Sequence, residues 1–311
     1  MNKPVTNLAA SVHDRLLKRA KLENRSFNEL LQYYAMERFL YRVSRSKYAN
    51  HFVLKGALML QFWSGPLYRS TKDIDLLGRE TKSVLELVEI IKDCISVDVQ
   101  DDGILFDATS VIGEEIRLAA LYDGVRLRCS GQLGTARIGL QVDVGFGDVV
   151  VPGEQSIDYP TLLGFNAPRL LGYTPESCIA EKFQALVALD MANTRMKDFL
   201  DIWMLAQARE FSGILLGRAI EATFRRRRTP LPKATPVALT SAFYSLPAKQ
   251  AQWLAYIRKG RILGSAPTFD TVSTKIRTFI LPVVEALNAG SIFNKQWNTG
   301  GLWVDTNRDT N

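Results

Sequence analysis

Arg69-Ser70-Thr71-Lys72-Asp73-Ile74-Asp75-Leu76 is the stretch on which the reading of this chain turns. From Asp73 onward, DIDLLG alternates polar and apolar residues and is β-branched near its centre, which predicts a strand. Residues i and i+2 of a strand point to the same face, so Asp73 and Asp75 stand side by side. Two like charges that close repel, and something cationic must offset them. Mg2+ suits an all-oxygen donor set and keeps waters and substrate phosphates in its shell. The ions of a two-metal site lie roughly 3.5–4 Å apart, a span that a carboxylate pair can bridge. A bare Asp-x-Asp also fits a solvated strand end, so its surroundings must decide.

Three neighbouring features bear on that choice. Asp143 lies inside the apolar run Leu140-Gln141-Val142-Asp143-Val144. An acid there is costly to bury unless it is paired or bound to metal. It reads either as a third carboxylate delivered from a neighbouring strand or as a residue on a solvent face. Lys55-Gly56-Ala57 precedes the acidic pair by a helix and a loop. A glycine opening a helix lets phosphate oxygens reach backbone N–H groups, and the helix dipole favours the anion. A packing glycine is the alternative. Arg69, Ser70, Thr71 and Lys72 put two hydroxyls and two cations directly before Asp73.

Working outward, Ser26 to Glu29 reads as a capping box. It opens a helix through LLQYYAMERFLYRVSRS. LKGALMLQFW reads as an apolar helical stretch, SGPLYRST as a loop, and SVLELVEIIKDCI as a helix. Strand patterning follows from Val111 to Val151, with the turn between two antiparallel strands expected at Ser130–Gly134. After Pro152 the chain reads as loop-rich until Thr174-Pro175-Glu176, an N-cap followed by a proline and an acid. From there to Asn288 the pattern is mostly helical, and the tail from Asn294 reads as polar, Gly-rich and mobile. The aromatic set Tyr33, Tyr34, Phe39 and Tyr41 reads as helix core ahead of a base-stacking platform.

Composition narrows the chemistry. The 311 residues are 47% hydrophobic and 23% charged, as in ordinary soluble proteins. With His13 and His51 the only histidines, a polyhistidine metal site is excluded. Cys94, Cys129 and Cys178 match no zinc or disulfide spacing and read as small core residues of a reduced, cytoplasmic protein. No eighteen-residue apolar run or apolar leader is present, so no membrane span is expected. A net charge of +7 favours a phosphate-bearing partner.

Four motifs in order carry a resemblance. FVLKGAL at 52–58 with RSTKDIDL at 69–76 is similar to the first motif of the AbiEii/MenT family of nucleotidyltransferase-like toxins, the toxin halves of type IV toxin–antitoxin systems. Leu140–Val144 resembles the next motif, a strand ending in an aspartate. Glu176 to Lys182 resembles the third, two glutamates and a lysine on a helix, and Lys197 to Asp201 resembles the fourth. The resemblance implies an α/β fold, with a nucleotidyltransferase-like mixed-sheet lobe with leading helices at 1–155 and a helical lobe at 156–290; the composition of the remaining residues, 291–311, makes them a flexible tail. It implies an NTP bound between the lobes and Mg2+ held by Asp73 and Asp75, with Asp143 supporting the metal or the acceptor. Lys55, Gly56, Ala57, Arg69, Ser70 and Thr71 would line the nucleotide, and Lys182 would contact its triphosphate. Asp198 would orient Lys182 or the acceptor, with Asp201 as its alternative. Ala57 departs from the pattern, since many nucleotidyltransferases carry serine after the glycine, and Ser70 or Thr71 would then replace that hydroxyl. The implied acceptor is RNA, the 3′ end of tRNA among the candidates, and the implied partner is a cognate antitoxin.

The residues alone leave other readings open. Lys182 also fits a lysine snorkelling from an apolar face, and Asp198 and Asp201 fit helix N-terminal acids. Arg225-Arg226-Arg227-Arg228 fits either a solvated helix end or an RNA phosphate contact. A catalytically silent nucleotide- or RNA-binding module of the same fold, and a kinase-like phosphotransferase, stand beside nucleotidyl transfer.

Overall fold

The structure is a computed structural model that describes residues 7–64, 71–118, 122–260, 267–299 and 301–306. Two compact units emerge, Met1–Phe62 with Ser70–Gly147 and Gln155–Gly172 in one, and Trp63–Arg69 with Asp148–Glu154 and Tyr173–Asn311 in the other.

The first unit is a mixed sheet with helices. Its elements run α1 (Leu8–Leu22), α2 (Phe27–Arg45), β1 (Phe52–Lys55), α3 (Gly56–Ser64), β2 (Asp73–Gly78), α4 (Val84–Ile95), β3 (Ile104–Leu118), β4 (Tyr122–Leu133), β5 (Ala136–Phe146), β6 (Gln155–Asp158) and β7 (Arg169–Gly172). Seven strands pair in the order β3-β4-β5-β2-β1-β7-β6. The β2–β5 and β1–β7 pairs are parallel and the others antiparallel.

Local differences from the sequence reading have physical causes. Phe52–Lys55 is a strand and the helix begins only at Gly56. All four strand residues are buried, and a short apolar run in a sheet centre looks like a buried helix by periodicity. Ser130–Leu133 belongs to β4, so the hairpin turns at Gly134-Thr135 instead, with Gly134 at φ +57. Ser26 caps α2 through the Glu29 N–H, but the Glu29 carboxylate pairs with Arg25 rather than reaching back. Both halves of a capping box are present at Ser83 and Glu86. Within the stretch expected as loop-rich, β6 and β7 form, and β7 pairs with β1.

Helix α2 is buried along most of its length and carries charge into the core. Arg42 grips Asp102 through two hydrogen bonds of 2.7 and 3.1 Å, and the Arg38 guanidinium lies 2.8 Å from Glu37 Oε1. The Leu162 N–H donates to Glu37 Oε2 at 2.6 Å.

The second unit is mainly helical, with α5 (Pro175–Leu189), α6 (Met196–Ala208), β8 (Phe211–Ser212), α7 (Gly213–Arg226), α8 (Ser241–Tyr244), α9 (Pro247–Gly260), α10 (Phe269–Asn288), β9 (Lys295–Trp297) and β10 (Trp303–Asp305). Thr174 caps α5, its hydroxyl accepting from the Ser177 N–H. Within the stretch expected to be mobile, Lys295–Trp297 and Trp303–Asp305 form β9 and β10, which join β8 in a small sheet. Trp297 is fully buried and donates to the Ala206 carbonyl at 2.7 Å. Trp297 and Trp303, in ring contact at 5.3 Å, give this stretch an apolar anchor among its glycines and polar residues.

Burial pushes the Glu37 carboxyl up to about 7, against the opposing pull of Arg38 and the Leu162 N–H. A raised acid pKa means that the folded state holds the proton more tightly than the unfolded chain, so this group stabilises the fold at low pH. That contribution declines by about 2 kcal/mol from about pH 5.5 to about pH 8. Glu37→Gln should flatten the pH dependence of urea unfolding over that window, and an unchanged slope would show that Glu37 is ionised in the fold throughout.

Candidate active site

Strand register builds the first cluster. Asp75 stands opposite Lys55 on β1 and opposite Asp143 on β5, and Asp143 stands opposite Arg126 on β4. Paired residues share a sheet face, so a row of charges, Arg126–Asp143–Asp75–Lys55, crosses four strands. Asp73 is on the same face two residues away, opposite Gln141. Arg126 binds Asp143 in fork fashion, with Nε to Oδ1 at 2.8 Å and Nη2 to Oδ2 at 2.7 Å. Hydrogen bonding to Asp143 raises the Arg126 pKa, against the opposing effect of its burial, and the charge of Asp73 adds to the rise. Asp143 is 6% exposed, whereas Asp73 and Asp75 are half-buried.

Gly56 lies beneath the second carboxylate. Its φ is +69, and a Cβ there would fall 2.0 Å from Asp75 Oδ2. Only glycine admits both the backbone conformation and the approach. The carboxylate therefore sits against the start of α3, where the helix dipole is positive. Ala57 is buried in the same turn. Thr71 braces the entry to β2, since its hydroxyl accepts from the Asp73 N–H and its own N–H donates to the Tyr33 hydroxyl at 2.7 Å. Arg69 and Ser70 lie outside the described residues.

The second cluster joins α5 to α6. Lys182 Nζ is 2.8 Å from Asp201 and 3.2 Å from Asp198, and Arg195 Nε is 2.5 Å from Asp198. Both aspartates are fully buried and Lys182 nearly so. Burial alone would raise the Asp198 pKa, but Lys182 and Arg195 together hold it below the ordinary carboxylate value. Cys178, one turn before Lys182, is a buried free thiol pushed up to about 12 by desolvation.

A third group divides the arginine run. Arg227 turns inward to Asp148 at 3.0 Å, Glu181 at 3.4 Å and the side-chain amide oxygen of Gln184, Oε1, at 2.9 Å. Glu181 also accepts from the Tyr173 hydroxyl. Arg225, Arg226 and Arg228 are exposed. Sequence reasoning missed the inward roles of Arg126 and Arg227, because their partners come from strand register and tertiary packing.

Hard oxygen donors at Asp73 and Asp75 fit a divalent cation completed by substrate phosphates and water. Asp143 is held by Arg126, and among the described residues no group of three or more His, Cys, Asp or Glu side chains is arranged to hold a metal ion.

The mixed sheet presents a same-face Asp-x-Asp beside a glycine-led helix. Residues 38–275 match the model for the nucleotidyl transferase AbiEii toxin of type IV toxin–antitoxin systems, and the chain belongs to that family. It is thus a nucleotidyltransferase toxin, a class that uses a nucleotide substrate and is paired with an antitoxin. Two solved Helicobacter pylori structures are similar to it. One, JHP933, is 14% identical, with a TM-score of 0.47 over 85% of this chain and 95% of that one. The other, provisionally assigned as a nucleotidyltransferase, is 14% identical, with a TM-score of 0.48 over 86% and 99%. No curated protein matches. Among the described residues no helix is long and apolar enough to cross a membrane.

Removing Lys182 leaves two buried carboxylates facing each other. Lys182→Met should lower unfolding stability by about 3–5 kcal/mol, and adding Asp198→Asn and Asp201→Asn should restore much of it. Denaturant titration of the single and triple variants checks this. Equal losses in both would show that packing of the lysine stem dominates.

Proposed function

We propose that this toxin transfers a nucleoside monophosphate from an NTP to a hydroxyl of RNA, with the 3′ end of tRNA as the acceptor, in a Mg2+-dependent reaction. The observation that carries this reading is the Asp73–Asp75 pair, half-buried on one face and set against the glycine-led start of α3. The cation held by Asp73 and Asp75 would neutralise the polyphosphate and favour departure of pyrophosphate. The chain's own part is positioning and electrostatics. Lys55 and Arg126 offset the acidic row, and Arg126 keeps Asp143 fixed beside Asp75. Backbone N–H groups opening α3 receive phosphate oxygens, with Thr71 shaping the approach to Asp73. In the helical unit, Asp198 and Asp201 orient the Lys182 ammonium, the charge that the family resemblance assigns to the triphosphate. The bond from the acceptor oxygen to the α-phosphorus forms as the bond to the leaving pyrophosphate breaks, and the hydroxyl proton passes to water.

Purified protein incubated with Mg2+, each α-labelled NTP in turn and total RNA should label RNA and release pyrophosphate. Asp73→Asn and Asp75→Asn should each reduce labelling to background while retaining the parent's thermal unfolding. Full labelling by both variants would remove the carboxylates from the chemistry. In a parallel incubation with γ-labelled NTP, label reaching RNA from the γ-position alone would make the enzyme a phosphotransferase instead.

Arg225 and Arg228 are proposed to touch the acceptor backbone. Replacing both with glutamine should weaken RNA binding and flatten the log–log salt dependence by up to about 2 units, with NTP affinity unchanged. A salt slope identical to the parent's would assign them to a solvated helix end.

A further inference from the structure

The sheet unit holds a recess at the opposite end of its central strands from the acidic row. Strand β7 runs parallel to β1 with Val53 opposite Leu171, which sets Arg169 level with His51, just before β1 begins. Lys55, opposite Asp75, ends the same strand. Four residues at about 3.3 Å each separate the two levels by roughly 13 Å. The recess is enclosed by the last turns of α2, the short 3-10 turn Ala49–His51, β6, and the start of β7, and has a volume of about 630 Å3.

Its chemistry is one-sided. Two guanidiniums, Arg45 and Arg169, line it, and among the described residues no carboxylate does. Both arginines are exposed, and neither makes an ion pair among the described residues. The nearest acid by register is Asp158, opposite Arg169 on β6, and it forms no ion pair with that arginine. Neutral hydrogen-bonding groups supply most of the remaining lining. The Asn166 amide donates to the Tyr41 hydroxyl at 3.4 Å, and Asn50 lies on the 3-10 turn. Tyr41 and Arg45, four apart on α2, share a helix face, and the Tyr41 ring is held by Arg38 at 4.9 Å. Paired forked donors without a counter-anion are suited to phosphate oxygens. The volume lies within the range of sites for nucleotide-sized molecules and exceeds what a single inorganic ion would need.

We propose that this recess binds a phosphorylated ligand of nucleotide size, with its phosphate between Arg45 and Arg169 and its neutral part against Tyr41, Asn50 and Asn166. Free nucleotides and the phosphorylated end of an RNA strand present the same chemistry. The test is calorimetric titration of the full-length protein with nucleoside 5′-monophosphates, the corresponding nucleosides, and a short 5′-phosphorylated oligoribonucleotide. The Arg45→Gln/Arg169→Gln double variant and the Asp73→Asn/Asp75→Asn double variant are titrated alongside. Phosphate-dependent binding should weaken about tenfold or more in the arginine variant and persist in the aspartate variant. Binding of the oligonucleotide alone would identify an RNA end, and binding of both would identify a free nucleotide. The proposal is overturned if the parent binds none of the phosphorylated probes, if nucleosides bind as well as their monophosphates, or if the arginine variant binds like the parent. Because both arginines are exposed, the variant should melt at the parent's temperature, which separates lost binding from lost fold. Failure of nucleotidyl transfer would leave this result untouched, since the aspartate variant is scored independently.

Discussion

Two carboxylates held opposite each other on adjacent parallel strands set the terms for the sheet unit. Asp75 and Asp143 are register partners, and strands in a sheet lie about 4.8 Å apart. Like charges facing each other there are destabilising, and a carboxylate as buried as Asp143 cannot rely on water. The sheet answers from both sides, with the Arg126 fork on β4 and Lys55 on β1. The order β4-β5-β2-β1 is what brings those cations to the row. A register slip of one residue on any of these strands would turn a charge to the opposite face. Strand order and charge balance therefore enforce each other.

The helical unit solves a related problem with a different geometry. Lys182 on α5 is shared by Asp198 and Asp201, which lie one turn apart on α6. Arg195 adds a second cation to Asp198, so the four charges cancel. Buried ion clusters of this kind contribute little net stability, because desolvation offsets much of the attraction. Their loss on removal of one member is nonetheless large. A cluster assembled this way holds a lysine rigidly, and it makes any role of that lysine hard to separate from folding by single substitutions. Arg227, tied to Asp148 and Glu181, repeats the pattern in the same unit.

Legibility in the sequence followed the range of the interactions. The period-two pattern of DIDLLG and the i, i+3 spacing of Asp198 and Asp201 are local, and the structure shows the strand and the shared helix face. Thr174-Pro175 marked the start of α5 because capping is also local. Phe52–Lys55, β6 and β7 are only four residues each, and their strand character comes from partners far away in the chain. The Ser130–Gly134 turn was misplaced because small and polar residues in β4 resemble turn residues until the pairing with β5 is known. Arg126 was invisible for the same reason, since its role exists only through its register with Asp143. Within four consecutive arginines, no sequence signal separates the buried one from its exposed neighbours. Asp198 and Asp201, alternatives in the sequence, both pair with Lys182, with Asp201 the nearer.

The alanine after Gly56 can now be understood physically. Ala57 is buried, and a hydroxyl at that position would need its own partner or cost about 1–3 kcal/mol. Near Asp73, the Thr71 hydroxyl is already engaged with the aspartate backbone. In the proposed reaction, anion recognition at α3 thus falls to the N–H groups of its first turn, which have no partners within the helix. That dependence on backbone explains why Gly56 matters twice. Its positive φ opens the helix, and its missing Cβ leaves the 2.0 Å approach that Asp75 occupies. Any side chain there would displace the carboxylate and the helix start together, so a single residue couples the place where phosphate would sit to the place where the cation would be held.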